Sequence, residues 1–512
     1  MTSTTHNRQF WVVCLLVCIV AFALRLPHLQ NHSLWMDETY SAWFSSLPLH
    51  ELWTDVPLYE THPPMYYTLL KFWRLAAGAS EAGLRSLSVL ASVATVLVLA
   101  VSGRALKAGK AGDQVALLAA LFLAVNQGSI NYAQQARPYA LETLTATLAI
   151  LASVRLLIQL RPLAVARTSS GAALRLLLAP MAVLALAAGA TLWLHNTAIL
   201  IAAGIWAGMI VSLLVFVPQN RAMQIAAVAL PGIGALLVWS PFLPMFIRQN
   251  QGMSHMTYWM DFHMKDGLGV GRLVAGPYLW MNPIILLAAL GLWRLWRTDR
   301  LAGLHLSLIL TLPLGFILAY SHFRQPVFVD RLFEWMAPPV MVLAAIGVMQ
   351  AVRSATWRGA TAVVALGFCL FHTVKSYADG PNEDWKGWLT RLQQEAHKGD
   401  LVILVQNEIE MPLHYYAGAG FPDVLSLPAA FPARGLPRAY IGNPGAPGMT
   451  PSDQDTVRAA MAGHPRIWLI QRAAHLYDAN GIVRKEVASS RTLVEHYGPG
   501  NVTIELFEGS AP

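Results

Sequence analysis

Apolar residues come in long runs along this chain, separated by short polar connections, up to about residue 375. A helix needs roughly 20 apolar residues to cross the hydrocarbon core of a bilayer, and these runs have that length. The pattern predicts eleven spans, at about 10–27, 84–102, 115–131, 138–157, 176–194, 197–217, 223–243, 279–296, 303–320, 334–351 and 358–375. The fifth and sixth are separated only by "HNT" (195–197), which predicts a tight hairpin. Asn126, Gln127 and Gly128 interrupt the third, so its end is expected to face protein or water rather than lipid.

After residue 375 the pattern shortens. Brief apolar runs at "DLVILV" (400–405), "DVLSL" (423–427), "RIWLI" (466–470) and "VTIELF" (502–507) read as strands. "EDWKGWLTRLQQEAHKG" (383–399) has helical spacing and a glycine stop. The Pro/Gly-rich stretch 431–453 reads as a long loop. The expected organisation is a transmembrane domain, 1–375, followed by a small α/β domain, 376–512.

Composition supports the membrane reading: 55% of residues are hydrophobic and only 12% charged, against about 25% charged in soluble globular proteins. The net charge of +8 raises a nucleic-acid reading, but the cations are scattered through short loops rather than gathered on one face. They work better as topology signals. With the N-terminus inside, the inner loops carry Arg104, Lys107, Lys110, Arg155, Arg161, Arg294 and Arg297, while Asp37, Glu38, Glu51, Asp55, Glu60 and Glu81 fall outside. An odd number of spans then places the C-terminal domain outside. "AFA" (21–23) resembles a signal-peptide cleavage site, but a retained anchor is the simpler expectation. Cys14, Cys18 and Cys369 lie in apolar runs and offer no disulfide framework.

The first outer loop, about 28–83, is far longer than a turn, and loops of that length usually carry function. Its segments 47–56 and 63–77 have mixed apolar and aromatic faces suited to helices at the interface. Within it, "WMDET" sets Asp37 beside Glu38. Such a pair can be a general base, a cation site or a helix-start device, because acids in a first turn favour the helix dipole. A divalent cation there would need a third ligand, which the sequence does not offer. His62 before Pro63-Pro64 is either a helix-start residue or an anion contact. Arg137 and Arg331 stand at helix mouths, where arginine either snorkels to headgroups or grips phosphate through its planar fork. Glu142, a turn inside the fourth span, needs a partner such as Arg137 or Arg85. No Walker loop, HExxH, GxSxG or CxxC pair occurs, and "GLGVGRLVAG" (267–276) reads as a loop.

Taken together, "LWMDETYS", "THPPMYYTLLKFW", "LRSLSVL", "ARPYAL", "DRLFEWMAPPV" and "EDWKG", in that order, resemble the bacterial GT-C glycosyltransferases. The nearest group is the protein-mannosyltransferase-like and aminoarabinose-transferase-like one. The resemblance implies a polytopic helical enzyme of the bacterial inner membrane that takes sugar from a polyprenyl-phosphate donor to a glycan, lipid or protein acceptor on the outer side. It casts Asp37 as the residue that activates the acceptor and Glu38 as its acidic neighbour. It casts His62 as a donor-phosphate contact, with Arg137 and Arg331 matching arginines of the family pattern. One departure is Leu332, where relatives often carry tyrosine after the late arginine. No nucleic-acid partner and no certain cofactor are implied. The contrasting readings are a lipid-linked glycan ligase or polymerase, and a transporter. A transporter would set its ionisable residues near the bilayer midplane, whereas here they gather at helix ends.

Overall fold

The computed structural model describes residues 2–165, 170–253, 261–381, 383–498 and 500–509. The chain divides into two compact units. One comprises Met1–Leu29, Ala82–Pro244 and Asp261–Asp379; the other joins Gln30–Glu81 to Gly380–Pro512, with a short segment beginning at Met245.

The first unit is helical. Among the described residues, eight helices are long and apolar enough to cross a membrane, and nine if a bent pair counts as one span. The chain is a multi-pass membrane protein. The bent pair is Gly109–Ala124 and Gln127–Ala133, which meet at 62°. The break falls where Asn126 was expected to interrupt the third span, and its side chain explains it. Asn126 Oδ1 accepts from Ser129 N at 2.9 Å and caps the second piece, while its Nδ2 donates to Val274 O at 2.8 Å. The remaining two expected spans are also helices, Thr2–Ala23 and Pro283–Thr298; the second is only 16 residues long.

Packing within this unit relies on close backbone approach. The Pro283–Thr298 helix lies against Ala337–Ile346, and a Cβ added at Gly291 would sit 1.8 Å from Leu343 O. A Cβ at Gly347 would likewise meet Leu287 O at 2.1 Å, so small residues permit the contact, as is usual between membrane helices. The turn at 195–197 is tight, as expected: His195 Nδ1 takes Thr197 N at 3.2 Å and Thr197 Oγ1 at 2.8 Å. One expectation is corrected. Leu268–Ala275 is a helix, not a loop, because Val270 and Val274 bury one face at four-residue spacing and Gly276, at φ +93°, ends it.

The second unit is built on a five-stranded sheet: β1 Leu401–Val405, β2 Asp423–Leu427, β3 Arg466–Arg472, β4 Thr492–Tyr497 and β5 Val502–Glu508, in the order β2-β1-β3-β5-β4. β1 pairs in parallel with β2 and β3, whereas β5 runs antiparallel to β3 and β4. β1 is buried throughout, since Val402, Ile403, Leu404 and Val405 are fully enclosed; buried central strands of parallel sheets read as continuous apolar runs. The Trp385–Glu395 helix, expected from its spacing, buries Trp385, Leu389 and Leu392. The 30–81 segment contributes helices Met36–Phe44, Leu49–Thr54 and Met65–Ala77. The last is amphipathic. Tyr66, Tyr67 and Leu70 are buried, while Leu69, Phe72 and Leu75 are exposed, Leu75 by 83%.

Candidate active site

In the second unit the site begins with how the Met36–Phe44 helix starts. Trp35 is extended (φ −81°, ψ 171°), and its N–H donates to Glu38 Oε2 at 3.3 Å. Glu38 is fully buried, so it serves the start of the helix. Adjacent helical residues point about 100° apart, and Asp37 is half-buried. The two acids suspected from the sequence therefore occupy different surroundings.

Four hydrogen bonds mount this helix on the C-terminal segment. Ser33 Oγ donates to Glu383 O at 2.6 Å, Leu34 N to Tyr416 Oη at 2.7 Å and Met36 N to Glu383 Oε2 at 2.9 Å. Tyr40 Oη donates to Glu408 Oε1 in a very short bond. Aromatic rings close the other side, where Phe431 meets Tyr40, Trp43 and Tyr59 edge-on at 5.5–5.7 Å. Such pairs contribute about 0.5–1.5 kcal/mol each beyond area burial.

Two charged groups behind the helix tie the mount together. Glu383 also accepts from Trp385 Nε1 at 2.7 Å and from Arg472 Nε at 2.8 Å. Burial by itself depresses Arg472, but Glu383, Glu408 and Asp37 outweigh it and hold the guanidinium above its usual range. Glu408 receives Tyr477 Oη at 3.0 Å, Asn443 Nδ2 at 2.5 Å and a short bond from Gln406. Burial pushes its carboxyl up, and Tyr40, Arg472, Tyr477 and Asn443 only partly oppose the shift.

His62 stands before the Met65–Ala77 helix and is engaged by Glu60, which takes both its backbone N–H, at 2.9 Å, and its Nδ1 in a short contact. Gln249 anchors this corner by donating to Pro57 O at 3.0 Å and Glu60 O at 2.6 Å. Glu60 lies within electrostatic range of Tyr40, one turn beyond Asp37. Asp37, Glu38 and His62 thus belong to one unit.

Arg137 and Arg331 belong to the other, and the fold brings their elements together there. Arg137 precedes the Tyr139–Val165 helix, which packs against the 3-10 segment Asp330–Met336 that carries Arg331. The Arg137 guanidinium lies 5.9 Å from the Tyr139 ring, Tyr139 meets Tyr132 edge-on at 5.3 Å, and Tyr132 is in electrostatic range of Arg331. Arg85 donates to His28 O and Leu29 O at 3.2 and 3.0 Å. Glu142 is also within electrostatic range of Glu334. Arg25, which the sequence did not single out, is fully buried; it donates to Ser92 Oγ at 2.8 Å and Ala124 O at 3.0 Å and is in electrostatic range of Glu334. Among the described residues, no group of three or more His, Cys, Asp or Glu is placed to hold a metal ion.

No protein-family model matches the sequence, and no curated protein matches it. Solved structures do match in fold. ArnT from Cupriavidus metallidurans, in the apo state, aligns with a TM-score of 0.61 at 13% identity over 100% of this chain and 99% of its own. The same protein bound to undecaprenyl phosphate aligns equally well, over 99% and 98%. The archaeal oligosaccharyltransferase AglB from Archaeoglobus fulgidus, in complex with an inhibitory peptide and a dolichol-phosphate, gives 0.58 at 12% identity, over 98% of this chain and 74% of its own. At these identities the likeness is one of fold, and it agrees with the GT-C architecture expected from the motifs.

Proposed function

We propose that this chain is a glycosyltransferase of the bacterial plasma membrane that moves a sugar from a polyprenyl-phosphate donor to an extracytoplasmic acceptor. The supporting observation is end-to-end agreement in fold with ArnT, which has been captured with undecaprenyl phosphate. In the proposed reaction the acceptor hydroxyl oxygen attacks the anomeric carbon. The bond from that carbon to the phosphate oxygen breaks, and the lipid phosphate departs with the electron pair. Asp37 takes the hydroxyl proton as general base. Arg137 and Arg331 stabilise the charge that gathers on the leaving phosphate, with His62 as a further phosphate contact. The donor arrives already activated on its lipid, so no nucleotide pocket is needed.

The test is purified full-length protein in lipid nanodiscs, given a panel of undecaprenyl-phosphate sugars with extracts of envelope glycans, lipids and proteins as acceptors. Release of undecaprenyl phosphate coupled to labelled acceptor is expected with one donor. Inactivity with the whole panel, but transfer from a lipid-linked oligosaccharide, would favour the ligase reading that the likeness to AglB keeps in view. For orientation, a reporter fused after Pro512 is expected to be active only outside the cytoplasm.

A further inference from the structure

A general base must be held still, yet Asp37 rides on a helix of only nine residues. Helices shorter than about 12–15 residues are marginal by themselves, so something else must fix this one. Its first turn is gripped from far along the chain. Glu383 lies 347 residues after Met36, and its carboxylate accepts the Met36 N–H, one of the orphan donors at the helix start. The same carboxylate accepts Trp385 Nε1 and Arg472 Nε, so it joins three elements. Trp385 is fully buried and anchors one side. Arg472 ends β3 and anchors the other; it bonds Glu383 and is within electrostatic range of Glu408 and Asp37.

A surface ion pair contributes little, because solvent and side-chain entropy offset the attraction. The Arg472–Glu383 pair is mostly buried, its side chains 23% and 13% exposed, and it is joined to other groups. Arg472 bonds the helix-holding carboxylate and is also within electrostatic range of Asp37. We propose that Glu383 and Arg472 are positioning residues for Asp37, through which the C-terminal sheet sets the place and orientation of the carboxylate. The proposal rests on the assignment of Asp37 as the base.

The experiment uses the full-length protein and the variants Arg472→Gln, Arg472→Lys and Glu383→Ala. Amide hydrogen exchange is followed over peptides covering 33–45, with β1 and β3 as internal controls, beside turnover on the donor that the wild type uses. In Arg472→Gln and Glu383→Ala, exchange over 33–45 is expected to rise by about tenfold or more while the strands stay protected. Turnover is expected to fall by about 100-fold, as a misplacement of about 1 Å can cause, with the donor KM within about twofold of wild type. Arg472→Lys keeps the charge and is expected to recover part of both losses. Unchanged exchange over 33–45 overturns the proposal, and so does raised exchange with wild-type kcat. If Glu383→Ala does not fold, with β1 and β3 deprotected, the two Arg472 variants decide by the same criteria. A wild-type protein inactive on every donor overturns the glycosyltransferase reading instead, and the exchange measurement still decides whether Glu383 and Arg472 hold the helix.

Discussion

Replacing Asp37 by asparagine separates a proton acceptor from a helix-start acid, because the two roles predict losses of different size in different measurements. Asp37 is in the first turn of its helix, where a negative charge interacts favourably with the dipole by about 0.3–1 kcal/mol. Being half-buried, it is partly screened, so the lower end of that range applies. Asparagine keeps the shape and a carbonyl oxygen, so Asp37→Asn is expected to shift the melting temperature by about a degree or two at most. A general base, by contrast, typically contributes about 100- to 10,000-fold, or about 2.7–5.5 kcal/mol of barrier. Glu38 should behave in the opposite way. It is fully buried and accepts the Trp35 N–H, and losing such a cap costs about 0.5–2 kcal/mol of stability. Glu38→Ala is therefore expected to melt earlier while retaining more turnover per folded molecule than Asp37→Asn. The assay measures undecaprenyl-phosphate release and thermal unfolding on the same nanodisc preparation of each variant. Near-wild-type turnover in Asp37→Asn would falsify the base assignment, and equal turnover losses at both positions would mean that the acids act as a unit.

Three further outcomes follow from particular contacts. Arg137→Gln and Arg331→Gln should raise the donor KM and lower kcat, read from initial rates over a donor titration; unchanged constants in both would remove the arginines from the phosphate site. Glu408 should make the C-terminal sheet less stable as pH rises. Burial raises its carboxyl, so above the ordinary value of 4.5 the folded state holds a proton that the unfolded state has released, until the pH passes the folded value. Glu408→Gln should reduce that slope in hydrogen-exchange stability measurements on β1 and β3; a residual slope is expected from Glu410 and Asp478, whose carboxyls burial also raises. Finally, Gly291→Ala should force the Pro283–Thr298 helix off Leu343 O and destabilise the membrane unit by about 1–3 kcal/mol, which a thermal melt in nanodiscs reads directly.

What the sequence reveals follows from the range of the interaction concerned. Membrane helices announce themselves because lipid requires an apolar exterior over a whole span, and the break at Asn126 is local enough to be visible as a polar interruption. β1, β2, β3 and β5 were legible as apolar runs. β4 was not: it forms the sheet edge, and Leu493 and Val494 are left 41% and 56% exposed. The helix at Leu268–Ala275 was hidden by glycines, which read as a loop until tertiary packing of Val270 and Val274 overrides their propensity. Asp37, His62, Arg137 and Arg331 could be picked out because each sits in an unusual local context, a charge or a proline beside a helix mouth. Glu383, Arg472 and Glu408 could not. Each is an ordinary charged residue in a polar segment, and its significance comes from partners brought near only by folding. "EDWKG" stands among the motifs of the sequence, but nothing in it tells that its glutamate takes the N–H of Met36.

The second unit is assembled from opposite ends of the chain, which makes its biogenesis a matter of timing. Residues 30–81 leave the ribosome about 300 residues before Gly380, which at about 5–20 residues per second is a wait of roughly 15–60 s. During that time the Met36–Phe44 helix lacks Glu383, Tyr416 and Glu408. A nascent or prematurely terminated chain would thus carry its first loop unsecured, without the sheet on which the Met36–Phe44 helix is mounted. Slow codons or stalling anywhere between the two halves should therefore be felt first as proteolysis near residues 30–81.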